Sequence, residues 1–311
     1  MAPVSKTGIR GFESHPPCTM TSSDENKPRT IVVGDVHGCA LELYELLEKV
    51  KFMPNRDRLI SLGDLVDRGP YVHGAVDYFM RRGEAIIGNH EQSQLRYYDR
   101  WVEGGRPTKQ IDIDTICRFK ADYHRDSFMS LEPKHFEWFK SLPLSLRIPE
   151  YNVLLVHAGV VPQVPLEDQE HHLTHISDIM APEAGYDNFG RYRHGYWRGD
   201  TKSWWTSKAP PGAKFWATHY DKSHGVVVFG HSGFMEPAWF RRQPDGTVVG
   251  GEHAEGELVA LGIDTGACFG RTLTCLVLPE WKTYSVHALQ AYKVSKKAKL
   301  FEVCPGITVY S

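Results

Sequence analysis

The 311-residue chain carries 36 Lys and Arg against 38 Asp and Glu, a formal net charge of −2. No overall basic field therefore draws it to nucleic acid or to a membrane surface. Hydrophobic residues make up 41% and charged residues 24%, near globular averages, which excludes a largely disordered or fibrous chain. The sequence has no run of about 18 apolar residues and no charged-then-apolar signal order at its start, so the expected compartment is the cytoplasm. Its six cysteines show no CxxC spacing, which removes zinc-ribbon and redox-motif readings and leaves reduced thiols that fill the core.

Residues 1–28 mix prolines, serines and charges without an apolar period and are expected to form a flexible leader. Order begins at Thr30-Ile31-Val32-Val33, a β-branched run ending at Gly34, followed by a helix in which Leu43, Leu46, Leu47 and Val50 recur at helical spacing. The unit repeats as a strand Leu59–Leu62 into Gly63, a helix around Val72–Arg82, and a strand Glu84–Ile87 into Gly88. Such alternation with short connections predicts a mostly parallel sheet covered by helices. An aromatic-rich helical stretch runs from Glu91 to about Leu142.

Strand signals return at Leu144–Ile148, Asn152–Val156, Val226–Phe229, Glu257–Ile263 and Thr272–Leu278, and the last of these are assigned to a second sheet. Between them, about 160–223 is irregular and rich in His, Gly and Trp, the signature of a substrate-binding cap. Residues 288–311, with Lys293, Lys296, Lys297 and Lys299, are expected to be a solvated C-terminal extension. The main domain is then 29–287. The predicted fold is α/β (α+β): a β-sandwich of two sheets flanked by helices, with a loop-rich cap.

Five segments share one design, a hydrophobic strand followed by metal-capable side chains beside glycines. They are Gly34-Asp35-Val36-His37-Gly38, Gly63-Asp64-Leu65-Val66-Asp67-Arg68-Gly69, Gly88-Asn89-His90-Glu91, Val156-His157-Ala158-Gly159 and Phe229-Gly230-His231-Ser232. Loops at the carboxyl ends of strands converge on one crevice, so the five can share a site. Singly, each residue has an ordinary reading: Asp35 as a helix N-cap, His157 and His231 as core histidines, Arg68 as a surface ion-pair residue. Together they offer carboxylates, a carboxamide oxygen and imidazoles without a thiolate, a set that favours Mn, Fe, Co or Zn. That many ligands suit two ions about 3.5–4 Å apart, which clamp the attacking and leaving oxygens of a phosphoryl displacement.

These segments, in this order, resemble the calcineurin-like metallophosphoesterases, within the phosphoprotein phosphatase group that includes the symmetrical diadenosine tetraphosphatases. The resemblance runs from about Arg29 to Val286 and implies the fold above. It also implies two divalent metal ions, with Mn2+ the expected pair. By that resemblance Asp35 and His37 bind the first metal, Asp64 bridges both, and Asn89, His157 and His231 complete the second. Arg68 would hold the substrate phosphate. His90 would be the general acid, oriented by Asp67, and a hydroxide bridging the ions would be the nucleophile. The segment Gly262–Thr274 resembles the closing strand-turn-strand of the tetraphosphatases and implies support near the site.

Two departures bear on substrate. Eukaryotic-type Ser/Thr phosphatases mostly have a phosphate-binding arginine before Gly-Asn-His-Glu, where this chain has Ile87. The tetraphosphatases commonly have Asp where this chain has Glu91. The expected partner is a phosphorylated small molecule such as a dinucleoside polyphosphate, with a phosphoprotein as the alternative, making the chain a bacterial-type Ser/Thr phosphatase. A non-catalytic phosphate-binding scaffold of the same fold is the second alternative; neither nucleic acid nor a membrane is expected as partner. Within the cap, Arg191, Arg193 and Arg198 are candidates for a second phosphate clamp, with Arg198 chosen. Trp197, Trp204, Trp205 and Trp216 could stack a nucleobase, although core packing of the cap is the more ordinary role.

Overall fold

The computed structural model describes residues 28–162, 164–175, 178–180, 213–293 and 300–310. Strands β1 (Thr30–Val33), β2 (Arg58–Ser61) and β3 (Glu84–Ala85) alternate with helices α1 (Ala40–Lys49) and α2 (Val72–Arg82). Helices α3 (Asn89–Glu103), α4 (Gln110–Cys117), α5 (Asp122–Ser130) and α6 (Pro133–Ser141) follow. Then come β4 (Ser145–Ile148), β5 (Val153–Val156), α7 (Glu170–His175), β6 (Asp178–Met180), β7 (Ala213–Phe215), β8 (Val226–Phe229), β9 (Gly233–Phe234) and β10 (Ala238–Arg242). The described chain closes with β11 (Val248–Gly250), β12 (Glu257–Gly262), β13 (Thr272–Leu278), β14 (Lys282–His287), β15 (Leu300–Cys304) and β16 (Ile307–Tyr310).

Two sheets face each other. The first has the order β14-β13-β1-β2-β3, and the second β11-β10-β12-β8-β5-β4. β1, β2 and β3 run parallel, as do β5, β8 and β12. β13 pairs antiparallel with β1, Thr30 opposite Leu278. It thus belongs to the first sheet, which corrects its assignment to the second. Hydrophobicity marks a strand as buried but not which neighbour it pairs with, and here the β12–β13 connection crosses between sheets.

The period of two along each strand sorts side chains into three cores. Ile31, Val33, Leu59, Leu273 and Cys275 face the helices and meet Leu43, Leu46, Val76 and Phe79. Val32, Ile60, Leu62 and Leu276 point the other way and fill the space between the sheets with Leu155, Val228, Trp239 and Ile263. The far face of the second sheet is covered by aromatics, Phe215, Trp216, Tyr220, Phe229, Phe234 and Phe240. Burying each such large side chain contributes about 1.5–3 kcal/mol. Trp216 is fully buried in this cluster, so it serves core packing.

α1 shows the same logic in helical form. Leu43, Leu46 and Leu47 are buried while Glu45, Glu48 and Lys49 are exposed. Glu42 is buried on the inner face and accepts hydrogen bonds from Leu289 N at 3.0 Å and the Tyr292 hydroxyl at 2.8 Å. α2 and α6 are clipped together at the surface, His135 Nε2 lying 2.9 Å from Asp77 and His73 Nε2 3.2 Å from Glu132. Lys134 and Arg81 add cations to the same carboxylates.

The C-terminal segment departs from its expected role as a solvated extension. β15 and β16 form a hairpin, and β16 pairs with β9. Cys304 and Ile307 enter the aromatic core. Ala291 bridges to Phe269, and Lys293 N donates to Cys268 O at 2.8 Å. The lysines that suggest solvation sit before an apolar hairpin whose turn is Pro305-Gly306. The expected leader lies outside the described residues up to 27, as does most of the expected cap, 181–212.

Candidate active site

Each strand of the two parallel sets ends at the same edge of the sandwich. β1 delivers Asp35 and His37, β2 delivers Asp64, β3 leads through Gly88 into Asn89 and His90 at the start of α3, β5 delivers His157 and β8 delivers His231. The loops turn sharply, and His37, Asp64, Asp67, Arg68 and His231 take positive φ of 45°, 50°, 70°, 70° and 61°. Non-glycine residues in this region carry strain that persists only where the surroundings over-determine it. The sheets are stitched together here. His231 N donates to Asp35 Oδ1 at 3.1 Å, and His157 Nδ1 donates to Leu62 O at 2.8 Å.

Asp64 stands at the centre. Its Oδ2 lies 3.4 Å from His37 Nε2 and its Oδ1 3.4 Å from His157 Nε2. Burial opposes its charge, but His157, His90 and His37 hold its carboxyl well below the usual range. Asp35 Oδ2 is 3.9 Å from His37 Nε2. On the other side, Asn89 Oδ1 lies 2.9 Å from His157 Nε2 and 3.0 Å from His231 Nδ1. The six sequence candidates for metal ligation are thus brought together in two groups that share Asp64.

The donor set suits cations. His37 Nδ1 donates to Val66 O at 2.8 Å and His157 Nδ1 to Leu62 O, so both rings present Nε2 inward, the usual support for an imidazole ligand. Burial, then the neighbouring Asp264 charge, pushes Asp35 well above its ordinary range. Burial likewise raises Asp264. For His157 burial opposes charge, yet Asp64 and Asp35 hold its pKa up at about 10. The space therefore draws positive charge to that inward nitrogen, and a divalent ion meets the same demand with the ring neutral.

Next to these candidate ligands lies a second hydrogen-bonded group, which holds the candidate acid His90. His90 Nδ1 donates to Asp67 Oδ2 at 2.5 Å. Arg68 reaches across the centre, Nη2 donating to His90 Nε2 at 2.9 Å and Nη1 to His37 Nε2 at 2.5 Å. Burial opposes ionisation of Asp67, but hydrogen bonds from His124 and His90 hold it well below the usual carboxylate range.

Several supporting residues were not singled out from the sequence. His124 Nδ1 donates to Asp67 Oδ2 at 2.7 Å and Gln94 Nε2 to Asp67 Oδ1 at 2.6 Å, while Asp67 N donates to Ser127 Oγ at 2.9 Å. These residues belong to α3 and α5 and carry no motif of their own. Glu91 accepts from the backbone N–H of Asp64 (2.8 Å), Leu65 (2.7 Å), Val66 (3.2 Å) and Gly88 (2.9 Å). It thereby holds the loop that presents Asp64, and burial followed by the Asp64 charge raises its pKa to about 7. Asp264, in the closing strand-turn-strand, is a buried carboxylate beside the ligands and accepts from Gly266 N at 2.9 Å. Ile87 is buried, its N–H bonded to Pro143 O at 2.9 Å. Arg191, Arg193, Arg198, Trp197, Trp204 and Trp205 lie outside the described residues.

The profile of the calcineurin-like phosphoesterase family matches residues 28–254. The symmetrical bis(5'-nucleosyl)-tetraphosphatase of Shewanella oneidensis is 36% identical over 138 residues, covering 43% of this chain and 46% of that protein. The chain thus spans about half the length of the first curated relatives it matches. The asymmetrical bis(5'-nucleosyl)-tetraphosphatase of Oceanobacillus iheyensis is 26% identical over 280 residues, covering 85% of this chain and 94% of that protein. Among solved structures, a putative diadenosine tetraphosphatase superposes with a TM-score of 0.58 at 24% identity, covering 84% of this chain and 93% of that one. This likeness establishes the fold.

Proposed function

The chain belongs to the calcineurin-like phosphoesterase family, and from that membership we propose that it is a two-metal hydrolase of phosphoanhydrides or phosphate esters, acting on dinucleoside polyphosphates. The observation that carries the reading is the Asp64 carboxylate, whose two oxygens face His37 and His157 at 3.4 Å each. Asp35, His37 and Asp64 would hold one ion; Asp64, Asn89, His157 and His231 would hold the other. Mn2+ is the pair we propose. Two divalent ions, when bound, stabilise charge on phosphoryl oxygens and acidify the attacking water.

The chain's own residues do the rest. The Arg68 guanidinium, a planar fork that matches phosphate oxygens, leaves the imidazoles to orient the reacting phosphoryl group. With Arg68 turned to the phosphate, His90 Nε2 is released and, when it carries a proton, delivers that proton to the leaving oxygen. Asp67 keeps His90 turned by holding Nδ1–H, and His124, Gln94 and Ser127 keep Asp67 in place. A scaffold role is disfavoured because no candidate ligand and neither His90 nor Asp67 is missing.

The substrate class is the one carried by the names of both curated relatives. Ile87 supports it, since the apolar side chain removes a second guanidinium from a monoester phosphate and leaves binding energy to come from the rest of a larger substrate. A reducing compartment, the cytoplasm, fits the buried free thiols of Cys39, Cys117, Cys268, Cys275 and Cys304. No helix among the described residues is long and apolar enough to cross a membrane.

A Mn2+ assay of diadenosine tetraphosphate, p-nitrophenyl phosphate and a phosphopeptide tests the reading. Diadenosine tetraphosphate should lead p-nitrophenyl phosphate in kcat/KM by about tenfold or more, ~1.4 kcal/mol of transition-state binding. Symmetrical cleavage gives two molecules of ADP, whereas asymmetrical cleavage gives ATP and AMP, so product analysis decides the register. If the phosphopeptide is hydrolysed best and diadenosine tetraphosphate is barely touched, the substrate is a phosphoprotein.

A further inference from the structure

A groove of about 820 Å³ opens beside the metal-ligand cluster, and Arg68 belongs to both. Its other walls are the α4–α5 connection with the start of α5, and the segment Tyr292–Lys293. That volume suits a ligand larger than one phosphate. Its charges do not cancel evenly. Arg125 is matched internally, lying 3.7 Å from Asp122 and 3.5 Å from Asp126. Asp114 accepts from Gln110 at 2.8 Å. Arg68, Arg118, Lys120 and Lys293 supply the other lining cations, so five cations face the three carboxylates of Asp114, Asp122 and Asp126.

Lys293 is held for the task. Its ammonium sits 4.5 Å from the centroid of the Tyr123 ring, and its backbone N–H is tied to Cys268 O. The preceding residue, Tyr292, is anchored through its hydroxyl to Glu42. The segment bearing Lys293 is therefore fixed against the closing turn that borders the site. Arg68, Lys120 and Lys293 line the same groove, and cations so grouped favour a ligand that carries charge beyond its first phosphate.

We infer that this groove is a distal-phosphate subsite, in which Lys293 and Lys120 bind the phosphates of the substrate beyond the one held by Arg68. The inference deepens the hydrolase reading, because it explains how a polyphosphate is chosen over a monoester at the same centre. It assigns the discrimination to groove cations on the α4–α5 connection and the segment after β14, outside the five metal-ligand motifs.

Equilibrium binding of ADP and of AMP to the Mn2+-loaded protein isolates the effect, since the two differ by one phosphate. The wild type should prefer ADP by about tenfold or more, and the preference should collapse toward one in K293E and fall part-way in K293A. K120E should also weaken it, whereas charge reversal at the exposed Lys109, which lies outside the groove, should leave it intact. Absence of an ADP preference in the wild type, or a wild-type preference retained in folded K293E, overturns the subsite. The outcome is separable from the hydrolase reading. A protein that cleaves diadenosine tetraphosphate but keeps its ADP preference in K293E has lost only the subsite. One that fails to cleave it, yet loses ADP preference in K293E, has lost only the proposed substrate.

Discussion

Asp67 and His90 are joined by a 2.5 Å hydrogen bond from Nδ1 to Oδ2, and that bond leaves Nε2 as the imidazole nitrogen facing Asp64 and Arg68. With Nδ1 committed to Asp67, only Nε2 is left to exchange a proton with a leaving oxygen. His90→Ala should therefore retain its metals and lose about 10²–10⁴ in rate on substrates with poor leaving groups, with a much smaller loss on p-nitrophenyl phosphate. Asp67→Asn should follow the same pattern at lower amplitude. Steady-state rates on both substrate types check this, and equal losses on both would remove His90 from proton transfer.

Asp64 should be the most damaging single position. Its two oxygens face both groups of candidate ligands, so in the proposed two-metal site Asp64→Ala should weaken both ions together, whereas His231→Ala should weaken one. Elemental analysis after dialysis should find both ions depleted in Asp64→Ala. Chelation of the wild type should abolish activity, and Mn2+ or Co2+ should restore it. Retention of two ions by Asp64→Ala would show that Asp64 does not bridge.

Gly88 has no room for a side chain. A Cβ there would lie 2.5 Å from Asp64 N and 2.7 Å from Glu91 Oε2, and would overlap Asp64 Oδ1. Gly88→Ala should cost about 1–3 kcal/mol of stability through overpacking and should reduce activity further by displacing Asp64. Thermal unfolding together with metal content tests it. A variant with wild-type Tm and full metal content would show that the loop yields without consequence.

Away from the site, Asp57 anchors the start of β1 to the turn before β2. Arg29 Nη2 donates to it at 2.6 Å, Arg56 Nε at 2.9 Å and Met53 N at 3.0 Å. Burial pushes its pKa up, but these hydrogen bonds outweigh burial and hold it at about 2. A depressed carboxylate contributes stability that is fully present above its unfolded pKa of about 3.9 and is lost as pH falls through the folded value. Asp57→Asn should cost about 1–2 kcal/mol at pH 7, and the gap to wild type should narrow as pH falls from 4 toward 2. Denaturant unfolding at pH 7 and pH 3 measures the gap, and a difference of constant size would mean that the carboxylate charge is not the cause.

The sequence alone picked out the candidate ligand set. Asp35, His37, Asp64, Asn89, His157 and His231 each follow a short hydrophobic strand with a glycine within two positions, and strands of one direction must deliver their ends to one edge. The two-sheet α/β frame followed from the same runs, because burial and a period of two are local properties. Local pattern could not decide partners. β13 reads as one more buried strand, and only its register against β1 places it in the first sheet. The hairpin of β15 and β16 was legible in the alternation around Pro305-Gly306 but was obscured by the lysines before it, and its burial depends on β9 and Gly250. His124, Gln94 and Ser127 meet Asp67 across 57, 27 and 60 residues of chain respectively, from positions on α3 and α5 that belong to none of the five motifs. Their roles arise where α3 and α5 pack together, because a hydrogen bond between distant residues needs a geometry that only the assembled fold supplies.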